Sequence, residues 1–167
     1  MKLTSNDFIR RYQMSEHPEG GFYKETWRSS DIIPSQGIGD FKSETFRNLM
    51  TSILFLLPGN TFSALHRIRS EELWNYHYGD PVVVFEIING EWKETVLGTE
   101  EGQVLQYVVK PGIWFGSRCL NPDGFGLVGC TVVPGFDFSD FEMAGFELLK
   151  SQYPQLQSHI GEFTRLP

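Results

Sequence analysis

A chain of 167 residues with 40% apolar side chains can bury one substantial core and is too short for several. Its formal charge of −7, with no basic stripe, excludes nucleic acid and an acidic membrane surface as partners, because both need clustered Lys and Arg. No apolar run nears the ~18 residues of a membrane helix and the opening MKLTSNDF is not a charged-then-apolar leader, so a cytoplasmic protein is expected.

The 17 Gly, 9 Pro and 14% aromatic content point to short strands and many turns rather than a helical bundle. Cys119 and Cys130 are too few and too oddly spaced for a disulfide framework or a structural zinc site. Cys130, inside LVGCTVV, reads as packing. Thr4 to Gln13 predicts a short amphipathic helix, capped by Thr4 or Ser5, with Phe8, Ile9 and Tyr12 at helical spacing. Pro18 and Gly20–Gly21 mark a turn before a strand from Phe22 to Arg28, on which Tyr23, Glu25 and Trp27 would share a face. Ser29 to Lys42 has turn residues and little pattern, and reads as an exposed loop.

Glu44 to Leu57 reads as one long strand whose second half, TSILFLL, is apolar on both faces. A second sheet or a partner subunit should cover it. VVVFEII at Val82–Ile88 has the same two-sided character, and together the two strands motivate an expected homodimer. Asn89–Gly90 is a hairpin signal, with EWKETVLG as the return strand. VLQYVVK, IWF and FGLVGCTVV supply further strands. Ser139 to Glu142 has capping-box spacing and predicts a helix ending near Tyr153–Pro154, with one more short turn in PQLQSHI.

Between Gly59 and Gly79 lies the stretch richest in chemistry. Period-two reading puts Phe62, Ala64, His66 and Ile68 on one side of a strand. A tight turn at Arg69–Ser70 would return the chain as a hairpin, with Glu72, Trp74 and Tyr76 on one face of the next strand. If the two faces coincide, His66 and Glu72 meet in an aromatic-lined cavity. About eight strands at short, regular spacing between short terminal helices point to an all-β double-sheet jelly roll. One domain is expected, with a helix, strand and loop in residues 1–43, the barrel in 44–138 and a helical segment in 139–167.

This stretch resembles the first motif of the cupin superfamily, a Gly, five or six residues, His-x-His, three or four residues, Glu, six residues and Gly. Here Gly59, His66, Glu72 and Gly79 keep the frame, while Ile68 stands where the second His falls. The second cupin motif falls at KPGIWFGSRC, Lys110–Cys119; Gly112 fits, Lys110 replaces the Pro, Phe115 the His and Cys119 the Asn. HPEGGFY, HRIRSEELWNYHYGDP, IWFG and VVPGFDF, in that order, are similar to one branch, the cupin-5 family of unknown function. The resemblance implies a double-stranded β-helix (cupin jelly-roll barrel), usually paired into a dimer, with a small-molecule cavity. It also implies kinship with nucleotide-sugar epimerases and sugar isomerases.

His66 is the candidate general base, against the alternative of a satisfied core His. Glu72 is its orienting partner, an acid in its own right or a metal ligand; the alternative is an ion pair with Arg67 or Arg69. His77 falls on the face opposite Glu72 unless a bulge shifts the register, or else it hydrogen-bonds near the Gly79–Asp80 turn. Trp74, Tyr76 and Phe115 are candidate stacking residues for a sugar ring or a base, or plain core. Arg28 and Arg47 either hold a phosphate or carboxylate or remain surface charge. Asp137 reads as fixing a turn. No cofactor is expected: His66 and Glu72 supply two ligands, and a divalent metal would need a third, from His77 or elsewhere. The expected function is a metal-independent epimerase or isomerase acting on a carbohydrate-like small molecule. The alternatives are a non-catalytic small-metabolite binder and a metal-dependent isomerase or dioxygenase with an incomplete ligand set.

Overall fold

The computed structural model describes residues 3–165. Two antiparallel sheets face each other across an apolar interior. The larger contains β1 (Ser15–Glu16), β2 (Phe22–Arg28), β5 (Thr51–Pro58), β12 (Phe125–Val133), β7 (Glu71–Gly79) and β10 (Gln106–Val109), in that spatial order. The smaller runs β13 (Glu142–Met143), β6 (Phe62–Arg67), β11 (Trp114–Cys119), β8 (Val82–Ile88) and β9 (Glu91–Leu97). This is the expected all-β jelly roll with short helices at both ends. No helix among the described residues is long and apolar enough to cross a membrane.

The stretch around Arg69–Ser70 is not a hairpin. β6 pairs with β11 and β13 in one sheet, while β7 pairs with β10 and β12 in the other. The turn therefore carries the chain across the sandwich. Inward side chains of consecutive strands then confront each other through the interior rather than lying side by side on one face.

The two-sided apolar strands are covered within the chain. Phe55 and Leu57 of β5 face the interior, while Leu56 packs under the N-terminal helix α1 (Ser5–Tyr12) with Phe8, Phe125 and Leu127. Val82 and Val84 of β8 face the interior. Phe85 and Ile87 pack against α2 (Phe146–Gln152) and α3 (Gln157–Phe163), meeting Leu149, Ile160 and Phe163. Each fully buried Leu, Ile or Phe contributes about 1.5–3 kcal/mol of transfer free energy, which makes these helices natural covers. These strands accordingly need no second copy to bury them.

Local signals hold at the termini of most elements. Thr4 caps α1 with a capping box, its hydroxyl accepting from the Asp7 N–H while the Asp7 carboxylate accepts from Thr4 N. Asn89 and Gly90, both at positive φ, turn β8 into β9. Three expectations are corrected. Residues 29–42 are not a bare loop, since β3 (Ile32–Pro34) pairs with β4 (Phe46–Asn48) and Phe41 is buried. The strand expected from Glu44 breaks at Leu49–Met50, so β4 and β5 lie in different sheets. No helix opens at Ser139: residues 138–140 form a single 3₁₀ turn, β13 follows, and the helix starts at Phe146. There Asp137 rather than Ser139 caps the turn, and Glu142 is taken by an ion pair with Arg67.

Candidate functional site

A cavity of about 460 Å³ opens between the sheets at the end where β2, β5, β6, β7 and the segment Phe136–Phe141 converge. Its lining includes His66 and Glu72, brought together across the sandwich, together with Trp74 and the partly exposed Arg28. It also includes His17 and Glu19, which the sequence reading left inside a turn.

Glu19 reaches the interior because of the two glycines behind it. Gly20 sits at φ +115, and a Cβ there would lie 2.2 Å from the Phe62 carbonyl oxygen; Gly21 sits at φ +73 against the Leu56 carbonyl. Only a residue without a Cβ lets the loop press this closely onto β6. The Glu19 carbonyl then accepts from the Ala64 N–H at 2.8 Å and from the Arg165 guanidinium at 2.9 Å. Its carboxyl group, 6% exposed with its residue, turns inward.

On β6 the alternation is interrupted. Phe115 and Ser117 of β11 pair with His66 and Ser63, so the β6 strand carries an extra residue between them. The bulge aims both Ser63 and His66 at Glu19 and sends Phe62 away to pack on Phe163. Ser63 donates its hydroxyl to Glu19 Oε1 at 2.8 Å. His66 Nδ1 lies 2.7 Å from the Ala64 carbonyl and its Nε2 lies 3.2 Å from Glu19 Oε2.

That geometry determines where the protons are. A carbonyl can only accept, so Nδ1 of His66 carries a hydrogen. Nε2 of a neutral ring is then a lone pair, and the contact with Glu19 requires one proton between the two atoms. Burial pushes Glu19 up and His66 down, and both shifts favour a carboxylic acid donating to a neutral imidazole. His17, whose Nδ1 is 3.3 Å from the same Glu19 oxygen, is likewise lowered by burial.

Glu72, 8% exposed, faces this group from β7. Burial, followed by the neighbouring Glu19 carboxyl group, raises its pKa to about 7, against smaller lowering by His66 and by hydrogen bonding from Cys130 and Trp74. The Trp74 indole N–H is buried beside it and, this weak contact apart, has no hydrogen-bond partner among the described residues. The candidate ion pair of Glu72 with Arg67 or Arg69 is not formed; Arg67 pairs with Glu142, and Glu71, not Glu72, takes an exposed pair with Lys110.

A second bulge, at Thr26, adjusts β2. Glu25 pairs with Ile53 and Trp27 with Ser52, so Thr26 is extra. Tyr23, Glu25 and Arg28 therefore line the cavity, and Trp27 points away at 48% exposure. This corrects the shared face expected for Tyr23, Glu25 and Trp27.

Four other candidate residues lie outside the lining. His77 is the extra residue of a third bulge, since Tyr76 pairs with Val128 and Tyr78 with Leu127; it is exposed, with its ring over Gly129. Tyr76 donates its hydroxyl to the Gly79 carbonyl. Phe115 is fully buried behind His66, ring centroids 4.1 Å apart, and packs on that ring. Arg47 is spent on both oxygens of Asp140, at 2.7 and 2.8 Å. With Arg28, which donates to the Phe136 carbonyl, it anchors the aromatic segment Phe136–Phe141 over the cavity.

The cupin frame places metal ligands at His66, Glu72 and the positions of Ile68 and Phe115. The residues at these frame positions do not fit a divalent ion. Ile68 and Phe115 are buried hydrocarbon, and both nitrogens of His66 are already engaged. Among the described residues no three His, Cys, Asp or Glu are grouped to hold one.

Residues 6–144 match the family described as Cupin superfamily (DUF985). The uncharacterized protein YML079W of Saccharomyces cerevisiae is 32% identical over 143 residues, covering 79% of this chain and 71% of the yeast protein. The crystal structure of protein SO0799 from Shewanella oneidensis is similar at a TM-score of 0.88 and 34% identity, over 99% of this chain and 100% of that one. A hypothetical protein from Leishmania major is similar at 0.89 and 33%, over 98% and 100%. An oxalate decarboxylase, at 12% identity and a TM-score of 0.54, shares the fold alone. With most of its length matched, and with relatives this similar, the chain belongs to the DUF985 family of the cupin superfamily.

Proposed function

We propose that this protein binds a small, carbohydrate-like molecule in the cavity between its sheets and acts on it by metal-independent proton transfer, as an epimerase or isomerase does. The observation that carries the reading is the grouping of Glu72 with the proton-sharing pair Glu19–His66 on the wall of one cavity that also presents Tyr23, Phe55, Trp74 and Phe141. A carboxyl group held near pH 7 exchanges a proton with a carbon acid at little cost in either direction. In this reading Glu72 removes and returns the substrate proton. The Glu19–His66 pair supplies or accepts the second proton, with Ser63 holding Glu19 and Phe115 holding the His66 ring.

The roles differ from those expected of the sequence, where His66 was the base. Its two nitrogens are occupied, which leaves Glu72 the better-placed group. The test is exchange of substrate carbon-bound hydrogen in deuterated water across a panel of sugars, in the wild type and in Glu72→Gln. Exchange lost in the variant while the sugar still binds supports the assignment; exchange at the wild-type rate overturns it.

A second reading, a non-catalytic binder of a small metabolite, draws on the same occupied nitrogens, since a fully satisfied His66 serves cavity shape as well as chemistry. Saturable turnover of any sugar in the panel would exclude it.

A further inference from the structure

We propose that the cavity selects a cationic ligand, a small amine that also carries a hydroxyl or carbonyl oxygen, such as an amino sugar or amino alcohol, over phosphorylated or carboxylated molecules. This rests on the reading of the cavity as a carbohydrate-like site and names the charge class of its occupant.

The balance of charge in the lining is the first argument. Glu19, Glu25, Glu72 and Asp137 contribute carboxyl groups, and Arg28 is the one Lys or Arg among the lining residues. Arg28 and Glu25 cancel each other, which leaves the acidic balance to Glu19, Glu72 and Asp137. The Arg28 Nε and one terminal nitrogen donate to the two oxygens of Glu25 at 3.1 and 2.7 Å. The other terminal nitrogen donates to Asn48 Oδ1 at 2.9 Å and the Phe136 carbonyl at 3.1 Å. Arg47, the second candidate anion anchor, is consumed by Asp140 outside the lining. His17 and His66 are kept neutral by burial. A phosphate or carboxylate entering this space would find no free cation to hold it, whereas an ammonium group favours the ionised forms of Glu72 and Glu19, which burial otherwise holds protonated.

The aromatic lining argues in the same direction. Tyr23, Phe55, Trp74, Phe138 and Phe141 surround the carboxyl groups, and ring faces attract cations, most of all when water is excluded. The indole N–H of Trp74, 1% exposed and beside Glu72, makes no full hydrogen bond among the described residues. Buried donors in native proteins are nearly always satisfied, and a ligand oxygen placed between this N–H and Glu72 would complete the bond that the pair makes only weakly. An ammonium group for the carboxyls and an oxygen for the indole together describe an amino alcohol or amino sugar.

The test is titration of the full chain, by calorimetry and tryptophan fluorescence, with matched sets. These are glucosamine, galactosamine and mannosamine, their neutral parent hexoses and their 6-phosphates, with ethanolamine as the minimal amine. The expected result is saturable binding of at least one amine, about tenfold or more tighter than its neutral parent, with its 6-phosphate not bound. Glu72→Gln should abolish that preference while circular dichroism shows the fold intact. Phe138→Ala, at an exposed ring, should weaken the amine more than the parent and serves if Glu72→Gln does not fold. The proposal is overturned if no amine saturates, if a parent or phosphate binds as tightly, or if the preference survives both variants. Neutral hexoses bound and exchanged as well as amines would remove the charge class and leave the proton-transfer reading standing. Amine bound tightly without exchange would do the reverse.

Discussion

Glu19 Oε2 and His66 Nε2 lie 3.2 Å apart in an environment where neither side chain is more than 8% exposed, with one proton between them. The partners are 47 residues apart in the chain and meet only because the loop before β2 is pressed onto a bulged β6. Removing one partner leaves the other unsatisfied in low dielectric. Glu19→Ala should therefore destabilise the fold by about 2–4 kcal/mol, with His66 and Ser63 both losing a partner. Glu19→Gln can still accept from Ser63 and donate to His66, and should cost under about 1 kcal/mol. Urea denaturation of both variants tests this; equal losses would refute the shared-proton geometry.

Glu72 sets the sign of a pH effect. Its folded pKa of about 7 lies above the ordinary 4.5, so its contribution to stability is full below pH 4.5 and is lost as pH rises through 7. The loss across that window is about 3 kcal/mol as an order of magnitude. In Glu72→Gln the loss disappears, so the variant should gain on the wild type between pH 5 and pH 8. Melting temperatures across that range would show it, and parallel curves would contradict it.

His17 and His66 act oppositely. Burial lowers both, so they cost stability as pH falls below the ordinary histidine value of 6.5. His17→Gln, which removes one such group, should flatten the acid side of the stability profile while leaving the alkaline side unchanged.

Gly20→Ala is the sharpest backbone test. At φ +115, with a Cβ 2.2 Å from the Phe62 carbonyl, the substitution should cost about 2–3 kcal/mol or more. It should also weaken ligand binding, because Glu19 moves with the loop. A near-neutral effect on both would show that the loop is not pressed onto β6.

His77→Ala should change stability by less than about 0.5 kcal/mol and leave exchange activity at the wild-type level, because the side chain is exposed on a bulge outside the cavity. Arg47→Ala, in contrast, strands the buried Asp140 carboxylate, and should cost about 2–4 kcal/mol and loosen the aromatic segment over the cavity. Its expected signature is a raised KM with kcat little changed.

The sequence by itself determined which segments become strands, because apolar runs bounded by Gly, Pro and Asn are local signals. FGLVGCTVV became β12 over its full length, Asn89–Gly90 became the turn between β8 and β9, and Thr4 became the cap of α1. The strand spacing, the frame Gly59–His66–Glu72–Gly79 and the pieces HPEGGFY, IWFG and VVPGFDF together pointed to the fold, and the frame named His66 and Glu72 as cavity residues. Tertiary structure alone decided the rest. Bulges at Thr26, within Ser63–His66 and at His77 reverse which side chains point inward, and a bulge is set by the partner strand rather than by local alternation. The same local reading made Arg69–Ser70 a hairpin and HPEGG a turn before a strand. Whether a turn folds back or crosses to another sheet, and whether a glycine pair hides a carboxyl group or exposes it, depends on what packs against it from elsewhere in the chain.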